Sequence, residues 1–322
     1  MRTILVGAAV AAALLFLPST VAATSGGRPV ALVAAEASNE VFAVSLGPHG
    51  GRVLRRVRLD DPLMVAAPLR GPAVVLNPHG TVTLLAWHSL RPIKVLRGFD
   101  RPEVAAIAPG DRYAYVSDAG SGRLVVIDLS RRRIVHRVFV GPKAHHLDVS
   151  PDGRRLWVSL GETATTIVRL DTSDPRVPRV VGRIRPRVTA HGIEFSPSGR
   201  TVWVSSSAAP FVTVYDAATG TVLRRIGAGK GPQEIAFSGK RAIVTSGYGS
   251  SLEAVSWRTY GRHGSVAMPY GSFNLATLGG NVVTSSVLTG YVTELHAGTL
   301  ERMWTRRIAP VTRYVAISVW PS

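Results

Sequence analysis

The sequence predicts an all-β protein, a seven-bladed β-propeller with four-stranded antiparallel blades, closed by pairing of the C-terminal strand with the first blade. Three observations predict it. Ser196-Pro197-Ser198-Gly199-Arg200-Thr201-Val202-Trp203-Val204-Ser205 is an imperfect copy of Ser150-Pro151-Asp152-Gly153-Arg154-Arg155-Leu156-Trp157-Val158-Ser159, and a further copy starts at Ala108-Pro109-Gly110-Asp111. Period-2 alternation between Gly, Pro and Asp turns is the signal of half-buried strands, and its recurrence at this spacing marks a propeller or a solenoid. The chain also begins and ends out of phase. A strand of the second kind in the repeat opens it near Val30, and a lone strand of the first kind, Tyr314 to Val319, ends it. Each completes the other if the ring closes, which removes exposed sheet edges.

Residues 1–23 read as a secretory signal peptide rather than as part of the fold. Arg2 gives a positive start, Ile4 to Leu17 is apolar, and Val21-Ala22-Ala23 offers small residues before Thr24. The alternative is an uncleaved anchor, for which the apolar stretch is short. Residues 24–322 then form one propeller domain, secreted or extracytoplasmic, with no transmembrane segment after cleavage and a monomer as the expected state.

Each repeat has the same grammar. Strand A is apolar and ends in Ser-Pro or Ala-Pro. Strand B follows a polar turn and carries an aromatic residue and Val-Ser. Strand C ends in Asp, as at Asp128, Asp171 and Asp216, and strand D is Arg-rich. The middle of strand B falls at Leu32, Val75, Tyr115, Trp157, Trp203, Ile243 and Val283, separated by 43, 40, 42, 46, 40 and 40 residues. Seven copies of four strands make seven blades.

The repeats resemble the YVTN family of seven-bladed propellers. The resemblance is carried by Tyr115-Val116-Ser117-Asp118 and by Val214-Tyr215-Asp216-Ala217-Ala218-Thr219-Gly220-Thr221-Val222, and is strongest between residues 101 and 246. It implies a closed propeller with strand A lining a central channel. Seven-bladed propellers include virginiamycin B lyase, and related propellers include lactonases that use His and Glu, some with a divalent metal. No motif of either is matched residue by residue, so the resemblance transfers a location alone.

That location is the entry of strand A. Its first position reads Leu63, Glu103, His145, His191, Gln233, Phe273 and Arg313, and the next reads Met64, Val104, His146, Gly192, Glu234, Asn274 and Tyr314. Loops and entries converging on a rigid scaffold gather binding chemistry. Glu103, His145, His146, His191, Gln233, Glu234, Asn274, Arg313 and Tyr314 are therefore the candidate ligand-binding residues. Two imidazoles and a carboxylate can hold a divalent metal or exchange protons, which makes His145, His191 and Glu103 the candidate metal set. The competing reading comes from the family, where a Pro-His-Gly-like entry recurs and Ala190-His191-Gly192 resembles it: the histidines would bond neighbouring blades. Deeper in strand A, Asp148 and Glu194 stand where the other blades carry Ala66, Ala106, Ala236, Ala276 and Ala316. They would either meet inter-blade amides or Arg, or polarise a channel able to hold a cation.

Composition narrows the chemistry. The absence of cysteine excludes disulfides, thiolate catalysis, Fe–S clusters and Cys-type zinc sites. No nucleophile elbow, P-loop or dinucleotide fingerprint occurs. No residue is thereby assigned a catalytic role, and a quinone cofactor is not expected because the Trp-rich repeat of that enzyme class is missing. Net charge is +18, and only four of the 38 basic residues are Lys, leaving 34 Arg. Many of these fall in strand D or its turns: Arg55, Arg56, Arg58, Arg131, Arg132, Arg133, Arg137, Arg183, Arg185, Arg187, Arg224, Arg225, Arg306 and Arg307. They are either a polyanion-binding or cell-envelope-binding belt or a solvated outer face. The sequence thus leaves two readings: a binding or scaffold propeller with its ligand at the channel mouth or basic rim, and a lyase- or lactonase-like enzyme with a His/Glu site at the mouth.

Overall fold

The computed structural model describes residues 27–322; the expected signal peptide lies outside the described residues. Seven four-stranded antiparallel sheets follow one another around a ring. Blades 2 to 7 each use four consecutive strands. Blade 1 takes its innermost strand, Val315–Pro321, from the C-terminus and its next, Gly27–Ala35, from the N-terminal end. The two pair antiparallel, with Val30 opposite Ser318 and Leu32 opposite Ala316. The ring is closed as the phase of the repeat predicts. Among the described residues no helix is long and apolar enough to cross a membrane.

The core lies between blades. Trp157 and Trp203, the strand-B aromatics of blades 4 and 5, are 1% and 0% exposed. Trp157 meets Phe195 of blade 5 edge-on at 6.1 Å, and Trp203 meets Phe237 of blade 6 at 5.5 Å. Edge-to-face geometry at this distance favours the ring quadrupoles. Each apolar cluster likewise spans neighbouring blades, including one that joins Val283 and Val292 of blade 7 to Val33, Val44 and Ile317 of blade 1. A second device secures that closing seam: buried Glu294 of blade 7 accepts bonds from Gly47 N at 2.9 Å and Trp304 Nε1 at 2.5 Å.

Outer strands face water, so charge there costs little. Every strand-D and turn arginine named above is exposed. Of these fourteen, two have a carboxylate within 4.0 Å among the described residues: Arg56 with Glu40 at 3.7 Å and Arg131 with Asp128 at 3.8 Å.

Candidate functional site

Strand A enters its blade through a local break in pairing, and that break aims the site residues. Register shifts separate Pro102 from Val104, Ala144 from Leu147, and Ser272 from Asn274. An extra residue on one strand re-directs side chains that would otherwise alternate. The residues inside these breaks are Glu103, His145, His146 and Phe273. Blades 5 and 6 reach a two-against-one arrangement through the backbone. His191 N donates to Ser205 O at 2.9 Å while Ser205 N donates to Gly192 O at 3.0 Å, and Gln233, Thr245 and Glu234 repeat the pattern. Two successive strand-A residues therefore reach one cavity.

At three entries a hydroxyl at the end of strand B locks strand A to the blade before it. Ser205 Oγ donates to the Gln233 carbonyl, Thr245 Oγ1 to the Phe273 carbonyl at 2.6 Å, and Ser285 Oγ to the Arg313 carbonyl at 2.5 Å. Asn274 Nδ2 adds a bond to the Arg313 carbonyl at 2.6 Å. Gly192 is needed for the close approach of blades 5 and 6, since a Cβ there would run into the Gln233 carbonyl oxygen.

The cavity at this mouth holds about 650 Å³, and all nine predicted residues line it, together with Leu63 and Phe273. Six further lining residues escaped the sequence reading: Glu162, Thr163, Ser207, Tyr248, Val287 and Leu288. They sit on the loops between strands B and C, whose lengths and compositions carry no period. The rim polar groups are partly committed. Arg313 Nη1 reaches Glu36 Oε2 at 2.5 Å, and Arg101 Nε reaches Glu103 Oε1 at 2.9 Å.

Three imidazoles meet in the cavity, their rings tilted by 50° and 54° to one another. Ring centroids of His145 and His146 lie 4.5 Å apart and those of His146 and His191 lie 4.3 Å apart. Burial first, and then Arg101 and Arg313 at the rim, push His145 down to about 4; burial holds His146 well below the usual imidazole range; burial lowers His191 against the opposing pull of Glu162. All three are neutral near pH 7. His191 Nδ1 lies 2.9 Å from the Glu162 carbonyl oxygen, which only accepts, so Nδ1 carries the proton and Nε2 keeps its lone pair. His145 Nδ1 and His146 Nε2 are buried without a protein partner.

Among the described residues one set of three possible metal ligands converges: His146, His191 and Glu234, with ligand atoms within 4.8 Å of one another. The set differs from the predicted His145, His191 and Glu103. His145 Nε2 is 3.9 Å from Glu103 Oε2, and Glu103 is turned to Arg101 at the rim. The second strand-A position, not the first, supplies the inner carboxylate and the middle imidazole. Burial, reinforced by Asp148, pushes Glu234 up to about 8. Its 3.5 Å contact with His146 Nδ1 therefore joins two neutral groups at pH 7 rather than an ion pair. A divalent cation reverses this, because it stabilises the carboxylate and requires unprotonated imidazoles.

His146, Glu234, Asn274 and Tyr314 also line a second chamber of about 380 Å³ deeper in the channel, with Asp148 and Glu194. Asp148 Oδ2 accepts from the Phe195 amide of the next blade at 2.7 Å, the inter-blade pairing that was one of the two expectations for it. Glu194 faces Asp148 and Glu234 electrostatically. Burial pushes Asp148 up to about 7, and burial plus these two neighbours raises Glu194 well above the carboxylate range.

No protein-family model matches the chain, and no curated protein matches it. Solved structures share its fold. A functionally unknown protein from Desulfotomaculum acetoxidans DSM 771 superposes with a TM-score of 0.79 at 14% identity, covering 91% of this chain and 99% of that one. Hydrazine synthase of Kuenenia stuttgartiensis gives 0.62 at 19%, covering 73% and 76%. Dihydro-heme d1 dehydrogenase NirN in complex with DHE gives 0.62 at 14%, covering 87% and 64%. At these identities the likeness shows the seven-bladed propeller and nothing finer.

Proposed function

We propose that this chain is a secreted, YVTN-type binding propeller whose channel mouth takes a small polar ligand through a divalent transition metal held by His146, His191 and Glu234. The convergence of two neutral imidazoles and one carboxyl within 4.8 Å carries the reading. Nitrogen and oxygen donors in that ratio suit zinc, iron, cobalt or nickel better than calcium or magnesium. The 650 Å³ cavity leaves room above the ligands for a bound molecule, with Arg313 and Tyr248 on its wall.

A ligand that binds the folded state stabilises it by RT ln(1 + [L]/Kd), about 2.7 kcal/mol at a hundredfold excess over Kd. Zinc or cobalt at that excess should raise the melting temperature of the mature protein, and magnesium should not. His146→Ala with His191→Ala should abolish the response. Equal melting curves with and without metal in the wild type would sink the reading and leave the histidines as packing residues.

The adjacent His145 and Glu103, 3.9 Å apart, favour a second reading in which the same site is catalytic. An imidazole and a carboxyl beside a metal can exchange protons with a bound substrate. His145→Gln separates the two: a binding protein keeps its ligand affinity, while an enzyme loses turnover of any lactone or related substrate found to react.

A further inference from the structure

Blade 4 carries a second site, on the face away from the channel mouth. A pocket of about 230 Å³ lies where the A–B and C–D turns of blade 4 meet the C–D turn of blade 5, and it shares no residue with the channel. Arg154, Arg155 and Arg169 line it. None of the three has a carboxylate within 4.0 Å among the ion pairs of the described residues. Arg155 and Arg169 are half-buried, whereas every belt arginine is exposed.

Arg169 is placed with care. In the same position of strand C, judged by pairing with mid-strand B, the other blades have Ala43, Thr83, Val126, Val214, Ala254 and Glu294. Its guanidinium is tied by Nη1 to the Ala218 carbonyl of blade 5 at 2.8 Å, while Nε is buried with no protein partner. It lies over Gly182, its register partner on strand D, where an added Cβ would come within 2.7 Å of Nη2. Glycine there leaves the space that the guanidinium fills. A desolvated donor without an acceptor is costly unless a ligand supplies one.

Charge and shape name the ligand. Asp171, held below the usual carboxylate range by hydrogen bonds from Ser173, is ionised at the pocket edge. Three guanidiniums and one carboxylate line the pocket, and Asp152 and Asp216 act on Arg154 and Arg155 from outside the lining, which leaves Arg169 as the guanidinium without a nearby carboxylate. Guanidinium forks match tetrahedral oxyanions bidentately, and a phosphate monoester near pH 7 carries close to two negative charges. Leu170 and Val181, the latter 60% exposed, add an apolar wall beside the cationic one. We propose that this pocket binds the phosphate group of a phosphate monoester, with the organic part of the molecule lying along Val181.

Calorimetric titration of the mature protein at low salt with phenyl phosphate, inorganic phosphate and acetate tests it. One saturable site is expected, tightest for phenyl phosphate and weakest for acetate. Arg169→Met should weaken phenyl phosphate by about tenfold or more, the scale of a lost bidentate charge-assisted contact. Gly182→Ala removes no charge and adds one methyl group that displaces the guanidinium, so it should weaken binding similarly. Arg133→Ser, on the belt, should leave it unchanged, and melting curves confirm that each variant is folded. Non-saturable binding, binding insensitive to both Arg169→Met and Gly182→Ala, or inorganic phosphate binding tighter than the ester would overturn the proposal.

Discussion

Blades 2 and 4 share strand order and pairing, yet present opposite chemistry to the channel. The innermost strand of blade 2, Met64–Ala66, is three residues long, apolar and entirely buried. That of blade 4, Ala144–Val149, runs for six and turns His145, His146 and Asp148 towards the lumen. Blade 5 continues the polar arc with His191 and Glu194. The difference teaches where a propeller can store costly groups. Inter-blade faces are mostly apolar because they are the core, and outer strands are open to water. The lumen is intermediate: narrow enough to desolvate an imidazole, open enough that a carboxyl survives there. The apolar blades hold the ring and the polar ones use it.

The largest effect should come from attacking the closure. Deleting residues 311–322 removes the innermost strand of blade 1 together with the Arg313 carbonyl that Ser285 and Asn274 grip. The loss should far exceed the ~1 kcal/mol of a typical point mutation. Melting and sizing by light scattering would check it; a monomer that melts unchanged would mean that the polar arc stands without the ring.

Acid should come next. A buried histidine with a depressed pKa binds fewer protons folded than unfolded, so its folding stability is lost as pH falls below the unfolded value of about 6.5. For His145 the window extends down to about 4. Asp148, Glu194 and Glu234 act in the opposite direction over the same window, so the His145 contribution, roughly 2 kcal/mol between pH 6.5 and 4 after solvent screening, is read as the difference between wild type and His145→Gln. Denaturant melts at both pH values measure this.

The smallest effect has the opposite sign. Glu194 holds its proton more tightly folded than unfolded, so its burial costs nothing at low pH and destabilises as pH rises past the unfolded carboxyl value of about 4.3. Glu194→Gln should be more stable than the wild type at pH 9 and little changed at pH 4. A loss at both would show that the carboxylate itself bridges something in the deeper chamber.

Much of this was legible in the sequence. The strand-B spacing gave the blades, and the odd final strand gave the closure. In six of the seven blades the mid-strand-B residue pairs with the predicted inner position, such as Tyr115 with Ala106 and Trp203 with Glu194; in blade 2, Val75 pairs with Val65 instead of Ala66. The site was legible only as a ring. Which of two adjacent histidines reaches the inner carboxylate depends on a pairing break between Ala144 and Leu147 that no residue type announces. Glu162 and Tyr248 were invisible because their loops do not repeat. The Ser205, Thr245 and Ser285 latches were visible, 40 residues apart at the end of each Val-Ser-like strand, and only their purpose was hidden.

The pairing of Val30 with Ser318 has a kinetic consequence. Joining chain segments this remote, as an isolated event, forfeits roughly 5 kcal/mol of chain entropy. Blades 2 to 7 have local connections and can assemble beforehand, shortening the effective gap. Until the last strand pairs, the Gly27–Ala35 edge has no partner on that side. That interval, rather than the finished propeller, is when neighbouring molecules can exchange strands and aggregate.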